Sequence, residues 1–174
     1  METGVSLGSN LGDRLAHLRR GAAGLAALPG ARLLARSRVY ETDPVDVPAA
    51  YRALPFLNAV VVLDWAGSAH DLLRAAKALE AAEGRRRGER NGPRPLDLDL
   101  IYADGLRMDE DGLTLPHPRT LERRFVLEPL ADVRPELVLP GAGKTVCQAL
   151  AALPPGGARL FAAVWVSNEK AGAA

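Results

Sequence analysis

The sequence predicts an α+β fold, and two kinds of pattern carry that prediction. Segments 11–25 and 69–83 repeat apolar residues at helical spacings of three and four. Segments 4–8, 31–42, 56–65 and 96–102 read as short extended runs separated by Gly, Pro, Asn and Asp. Taken along the chain, they fall in the order β-α-β-β-α-β, with further elements after it.

Each element has a local reason. Gly4-Val5-Ser6-Leu7-Gly8 starts as a strand, and Ser9 or Asn10 can cap the helix that follows, with Asp13 in its first turn where the dipole favours a carboxylate. Leu11, Leu15, Leu18, Ala22 and Leu25 form one apolar stripe, and Pro29-Gly30 ends the helix. In the extended run 31–42, Leu33, Ala35, Ser37 and Val39 share a face opposite Arg36 and Arg38. Segment 43–55 contains three prolines and reads as a loop long enough to carry function. In strand 56–65, Leu57, Ala59, Val61 and Leu63 point one way and Phe56, Asn58, Val60 and Val62 the other. Ser68-Ala69-His70-Asp71 resembles a capping box opening a helix to about Glu83, with Leu72, Ala76, Leu79 and Glu83 inward and Gly84 as the stop. A strand over 96–102 follows. Pro116-His117-Pro118-Arg119 is a rigid turn, 121–130 a helix ended at Pro129 or Pro135, 145–153 another helix, and 158–166 a last strand. This is a ferredoxin-like βαββαβ core, an antiparallel sheet with helices packed on it and extra C-terminal helices and a strand. Residues 1–167 then make one domain and 168–174 a frayed tail, with no internal repeat or linker.

Composition narrows the function classes. At 174 residues and 48% hydrophobic content the chain can bury a core. A net charge of +1 argues against a bulk nucleic-acid or membrane-surface binder. The positive charge is local, and all but Lys77, Lys144 and Lys170 of the 22 basic residues are arginine, whose fork matches phosphate geometry. Cys147 is the sole cysteine, which excludes an intrachain disulfide; in its helical pattern it reads as a small packed hydrophobe. There is no basic N-terminal region leading into an apolar one, and the longest apolar run, 59–63, is too short to cross a bilayer. A cytoplasmic protein is expected.

The most informative stretch is 90–101, Arg-Asn-Gly-Pro-Arg-Pro-Leu-Asp-Leu-Asp-Leu-Ile. On a strand, Asp97 and Asp99 share a face while Leu96, Leu98 and Leu100 share the other. Adjacent carboxylates repel and resist desolvation unless a positive charge lies between them. Few, hard oxygen ligands suit Mg²⁺, which keeps waters and takes further ligands from substrate phosphates. Arg85, Arg86, Arg87, Arg90 and Arg94 supply fixed charge for a polyphosphate. The competing reading is that the aspartates pair with these arginines on a solvated face.

Four segments occur together: 6–13 (Ser-Leu-Gly-Ser-Asn-Leu-Gly-Asp); Tyr40-Glu41-Thr42 with Phe56-Leu57-Asn58-Ala59; 84–94 running into Asp97-Leu98-Asp99; and Pro116-His117-Pro118-Arg119 with Arg123-Arg124-Phe125-Val126-Leu127. In this order and spacing, from about 5 to 135, the chain closely resembles the 6-hydroxymethyl-7,8-dihydropterin pyrophosphokinases of folate biosynthesis. The resemblance implies transfer of pyrophosphate from ATP to the pterin hydroxymethyl oxygen, with AMP released. It implies two Mg²⁺ ions at Asp97 and Asp99, and catalytic roles for Arg85 and Arg94. It implies ATP contacts from Glu80, Arg87, Arg90, His117 and Arg123, with Glu80 able to orient an arginine. It implies a pterin pocket built from Thr42, Pro44, Val45, Phe56, Asn58 and Phe125, in which the two rings sandwich the heterocycle and the Asn58 amide matches its edge. A monomer with no nucleic-acid or membrane partner is expected. Many relatives carry Trp at the position of Asn91 and Tyr at that of Phe56, and loop 44–55 is longer here than in some.

Two other classes share the predicted topology. An RNA-binding module would use 85–94 as its electrostatic footprint and needs exposed aromatics on the central strands, whereas aromatics make up 5% of this chain. A regulatory small-molecule domain needs neither the aspartate pair nor the arginines. A magnesium requirement for ATP binding separates the first reading from both.

Overall fold

The computed structural model describes residues 1–45, 47–85, 92–110 and 112–165. The elements are β1 (Glu2–Ser9), α1 (Arg14–Ala26), β2 (Ala31–Arg36), β3 (Val39–Thr42), β4 (Phe56–Trp65), α2 (Ala69–Ala82), β5 (Asp97–Ala103), β6 (Met108–Glu110), β7 (Leu113–Leu115), α3 (Arg124–Val133), α4 (Val146–Ala152) and β8 (Ala158–Ala162). The main sheet runs β5-β1-β4-β3-β8, with β2 also on β4, and its pairings are antiparallel. With β2 and β3 together taking the place of the one strand expected over 31–42, the ferredoxin-like β-α-β-β-α-β order up to β5 is as the sequence predicts.

Side-chain alternation in the strands builds a core on each face. Val5, Leu7, Leu57, Ala59, Val61, Leu63, Leu98 and Leu100 pack against Leu18, Ala22 and Leu25 of α1 and Leu72 and Ala76 of α2. On the other face, Val60, Val62, Ile101 and Tyr102 pack against Val126, Leu127 and Leu130 of α3 and Val146 and Ala149 of α4. Each such aliphatic side chain contributes about 1.5–3 kcal/mol by leaving water. β4 is apolar on both faces because both are covered, as in the Val60-Val61-Val62-Leu63 run.

Several local expectations are corrected. The α1 cap is Asp13, whose side chain accepts the Ala16 N–H at 3.0 Å, and neither Ser9 nor Asn10 caps it. Gly12 sits at φ +67°, a turn that keeps Leu11 out of the helix and leaves it 46% exposed. The 31–42 run is two strands. A register shift between Leu33 and Ala35 sends Ala35 to the α3/α4 side, while Leu33 and Val39 stay on the α1/α2 side. Ser37 marks the break: its Oγ accepts the Val60 N–H at 2.8 Å, and its own N–H donates to the Val60 carbonyl at 2.9 Å.

The buried stripe of α2 is Ala69, Leu72, Ala76 and Glu80. Glu83 is not inward; it lies at the C-cap, with its carboxylate 2.6 Å from His17 Nδ1 and held by Arg20. His17 is thereby half-buried. Pro129 does not end α3, which runs on to Val133 ahead of Pro135. Cys147 is exposed, on the solvent side of α4. The β6–β7 hairpin is absent from the sequence reading, because three-residue strands carry too little period to see. The final strand stops at Ala162, and Val166 and the 168–174 tail lie outside the described residues. Among the described residues no helix is long and apolar enough to cross a membrane.

Candidate active site

The α3/α4 layer leaves one end of the sheet uncovered, and the strand register sets what is displayed there. Asp97 pairs across from Gly8, and Gly8 across from Asn58. Asp99 pairs across from Ser6, and Phe56 across from Thr42. Directly opposed residues share a face, so the floor reads Asp99 and Ser6; then Asp97, Gly8 and Asn58; then Phe56 and Thr42. A cleft of ≈ 400 Å³ lies over this floor, walled by His117, Arg119, Thr120, Arg123 and Phe125 and by Asp43, Val45 and Val47. Arg85 and Arg94 enter it from either side of the undescribed stretch 86–91.

Space at Gly8 is tight on the Asn58 side. A Cβ there would lie 3.3 Å from Asn58 Oδ1 and 3.7 Å from both the Asp97 Cβ and the Phe56 ring. Asn58 is buried, and its Nδ2 donates to Thr42 Oγ1 at 2.7 Å. That bond fixes the amide so that Oδ1 faces Gly8. Phe56 carries the Arg94 guanidinium 5.6 Å from its centroid, and Phe125 carries that of Arg123 at 5.5 Å.

Charge is arranged around the two aspartates. Arg85 pairs with Asp97 and, at 2.6 Å, with Glu80. Arg94 Nε lies 3.0 Å from Asp97 Oδ2, out of line for a hydrogen bond. Burial works against the Arg85 charge, but the carboxylates of Asp97, Glu80 and Asp99 outweigh it and raise its pKa. Asp99 differs from Asp97 in that no hydrogen bond or ion pair closes on its carboxylate among the described residues. Burial, and then repulsion from Asp97, raise its pKa against the pull of Lys77, His117 and Arg94. Burial also lowers the His117 pKa, with Arg123 and Arg119 adding to the effect and Asp99 opposing it. The His117 backbone N–H donates to the Ile101 carbonyl at 2.8 Å, which ties the turn to β5, and its Nδ1 accepts the Arg119 N–H at 3.2 Å. The neutral ring therefore carries its proton on Nε2.

Of the residues singled out in the sequence, Thr42, Val45, Phe56, Asn58, Arg85, Arg94, Asp97, Asp99, His117, Arg123 and Phe125 line one cleft. Glu80 and Pro44 do not line it. Glu80 is 2% exposed beneath the cleft, where its Oε1 accepts the Leu98 N–H at 2.7 Å and meets Arg85 and Lys77. It is thus an orienting group under β5. Arg87 and Arg90, with Arg86 and Asn91, lie outside the described residues. Sequence reading missed Ser6, Gly8, Asp43, Val47, Arg119 and Thr120. The alternation of Val5 and Leu7 places Ser6 and Gly8 on the opposite face, but their place beside the aspartates depends on strand register.

A metal fits this donor set. Asp97 and Asp99 are adjacent on one face, and among the described residues Asp99 has no cationic partner at contact distance. Among the described residues no group of three or more His, Cys, Asp or Glu could hold an ion, so of these residues Asp97 and Asp99 would be the ligands, with solvent and substrate supplying others.

Two carboxylates ringed by arginines on an open sheet face are the equipment of a nucleotide-dependent phosphotransferase. A model of the family described as 7,8-dihydro-6-hydroxymethylpterin-pyrophosphokinase (HPPK) matches residues 4–135, and the chain belongs to that family. The chain is 44% identical over 154 residues to the 2-amino-4-hydroxy-6-hydroxymethyldihydropteridine pyrophosphokinase of Methylorubrum extorquens, covering 88% of this chain and 94% of the relative. It is 39% identical to the Pseudomonas aeruginosa protein of the same name, covering 86% and 90%. The solved structure of Plasmodium falciparum HPPK-DHPS with pteroate superposes with a TM-score of 0.68 at 14% identity, covering 86% of this chain and 42% of that one. This last likeness speaks to the fold alone.

Proposed function

We infer that the protein transfers pyrophosphate from ATP to the hydroxymethyl group of 6-hydroxymethyl-7,8-dihydropterin, giving AMP and the pterin diphosphate in folate biosynthesis. The observation that carries this reading is the convergence of Asp97, Asp99, Arg85, Arg94, His117 and Arg123 on one cleft beside Asn58, Phe56 and Phe125.

Attack at the β-phosphorus spreads negative charge over nonbridging oxygens, so positioned positive charge lowers the barrier. Arg94 is fixed by Phe56 and Asp97, Arg85 by Glu80 and Asp97, and both point charge into the cleft. Losing one such donor costs about 2.7–4 kcal/mol of transition-state stabilisation. Arg123 and neutral His117 line the opposite wall, where they can hold the remaining ATP phosphates. Asn58, its amide oriented by Thr42, offers an acceptor oxygen to the donor edge of a pterin, and the rings of Phe56 and Phe125 supply its stacking surfaces. Mg²⁺ held by Asp97 and Asp99 would neutralise phosphate charge and polarise the attacking hydroxyl. We assign two ions, one polypeptide per functional unit, a single folded domain over 1–167 and a cytoplasmic location on the same reading.

The test is AMP release from Mg-ATP with and without the pterin, on wild type and Asp97→Ala. AMP that forms only with pterin, and collapses in the variant, supports the assignment. ADP as product means an ordinary kinase. ATP binding without turnover, undiminished in Asp97→Ala, sinks the metal assignment.

A further inference from the structure

We propose that Asn10 is a positioning residue for this reaction, acting through Arg94; the proposal rests on the pyrophosphokinase reading. Asn10 lies in the turn between β1 and α1, is 4% exposed and does not line the cleft. It nevertheless holds the backbone of Arg94 at two points. Asn10 Oδ1 accepts the Arg94 N–H at 2.8 Å, and the Asn10 N–H donates to the Arg94 carbonyl at 3.2 Å.

The surrounding sequence makes this clamp decisive. Arg94 stands between Pro93 and Pro95, neither of which has an N–H to donate. The Arg94 N–H is therefore the one backbone donor of that tripeptide, and Asn10 takes it. Both prolines also fix φ, so a tie at this single residue sets the course of the segment. From that backbone the guanidinium reaches over Phe56 at 5.6 Å and to within 3.0 Å of Asp97 Oδ2. On the other side, Gly12 at φ +67° turns the chain immediately after Asn10 and Leu11, so the clamp is seated in a corner rather than on a helix. Asn10 Nδ2 has no hydrogen-bond partner among the described residues. Among the described residues the side chain is used through its carbonyl oxygen, an acceptor that aspartate keeps and alanine removes.

Two measurements test the clamp. The first is hydrogen exchange of the Arg94 amide, read by NMR on the full chain, with β4 amides as the folding control. Protection in wild type and Asn10→Asp, reduced by on the order of 10-fold or more in Asn10→Ala, is the expected result for loss of a local bond. Unchanged protection in Asn10→Ala overturns the clamp whatever the activity. The second is a double-mutant cycle on kcat. Asn10→Ala is expected to lower kcat by up to roughly 100-fold, through misplacement of the guanidinium, with KM for ATP little changed. In an Arg94→Ala background the same substitution should add less than about 3-fold, because it acts through a group already gone. Losses that multiply independently mean that Asn10 supports only the fold, and overturn the positioning role. A wild type that forms no AMP defeats the reaction assignment instead, while the exchange measurement still judges the clamp.

Discussion

Asp99 is half-buried and Glu80 buried, and the two acids act on stability in opposite directions. Burial and Asp97 raise the Asp99 pKa. A carboxyl whose folded pKa exceeds its unfolded value favours folding when protonated, and that contribution is lost as pH rises through the folded pKa. Asp99 therefore destabilises the metal-free protein at neutral pH. Asp99→Asn is expected to raise the urea midpoint at pH 7, with the gain shrinking as pH falls into the ordinary carboxylate range, while pterin-dependent AMP formation is lost. An unchanged midpoint at pH 7 would mean that the carboxylate is compensated in solution. Glu80 instead satisfies a buried donor, the Leu98 N–H, besides facing Arg85. Glu80→Gln keeps an acceptor; Glu80→Ala removes it and should be less stable than the Gln variant by about 1–3 kcal/mol. Equal unfolding free energies for the two would place the role of Glu80 in its charge.

At the scale of elements, β1 is the constrained strand, with β4 on one side and β5 on the other. Gly4 faces the Tyr102 ring, and a Cβ there would lie 2.3 Å from Tyr102 Cε1. The ring cannot readily give way: it is 1% exposed and its hydroxyl donates to Glu2 Oε1 at 2.8 Å. Gly4→Ala is expected to destabilise by about 1–3 kcal/mol through overpacking. The penalty should largely vanish in a Tyr102→Leu background, and its persistence there would locate the strain in the β1 backbone. This element also shows what was legible. The alternation Val5, Leu7 and the spacing of Asp97 and Asp99 are properties of single segments, so both the buried face and the paired carboxylates could be read from sequence. That Ser6 and Gly8 sit beside those carboxylates is a property of the β1–β5 register, which no local pattern encodes. The split of 31–42 escaped for a similar reason, since it is set by Ser37 bonding to Val60 on another strand. The nucleotide contact of Glu80 is an implication of the family resemblance, and its burial is not legible in α2 alone, because the N–H it satisfies comes from β5.

For the whole molecule, the segment beyond the family match at 135 closes the structure. β8 completes the sheet along β3, the strand that carries Thr42. Arg159 reaches Glu41 at 3.6 Å and Asp43 at 3.5 Å, exposed pairs worth little by themselves. The larger contribution comes from Trp165. It is 2% exposed within the α1/α2-side core, donates from Nε1 to the Ser37 carbonyl at 2.7 Å, and accepts Arg19 Nε at its own carbonyl at 2.5 Å. It thus pins the segment after β8 to the break between β2 and β3 and to α1 together. Trp165→Ala is expected to cost about 3–5 kcal/mol, read as a lower urea midpoint, because a large buried ring and its hydrogen bond are lost at once. Phe161 lies on β8 itself but is 47% exposed, with Arg14 at 6.0 Å from its ring; Phe161→Ala should cost less than about 1 kcal/mol. The contrast matters more than either value. Equal losses would mean that β8 acts mainly by covering the β3 edge. The expected inequality means that the C-terminal segment stabilises the break between β2 and β3, and with it the strand that carries Thr42, from within the core; if Thr42 lies at the pterin pocket as proposed, Trp165→Ala should then raise KM for the pterin, with KM for ATP nearly unchanged.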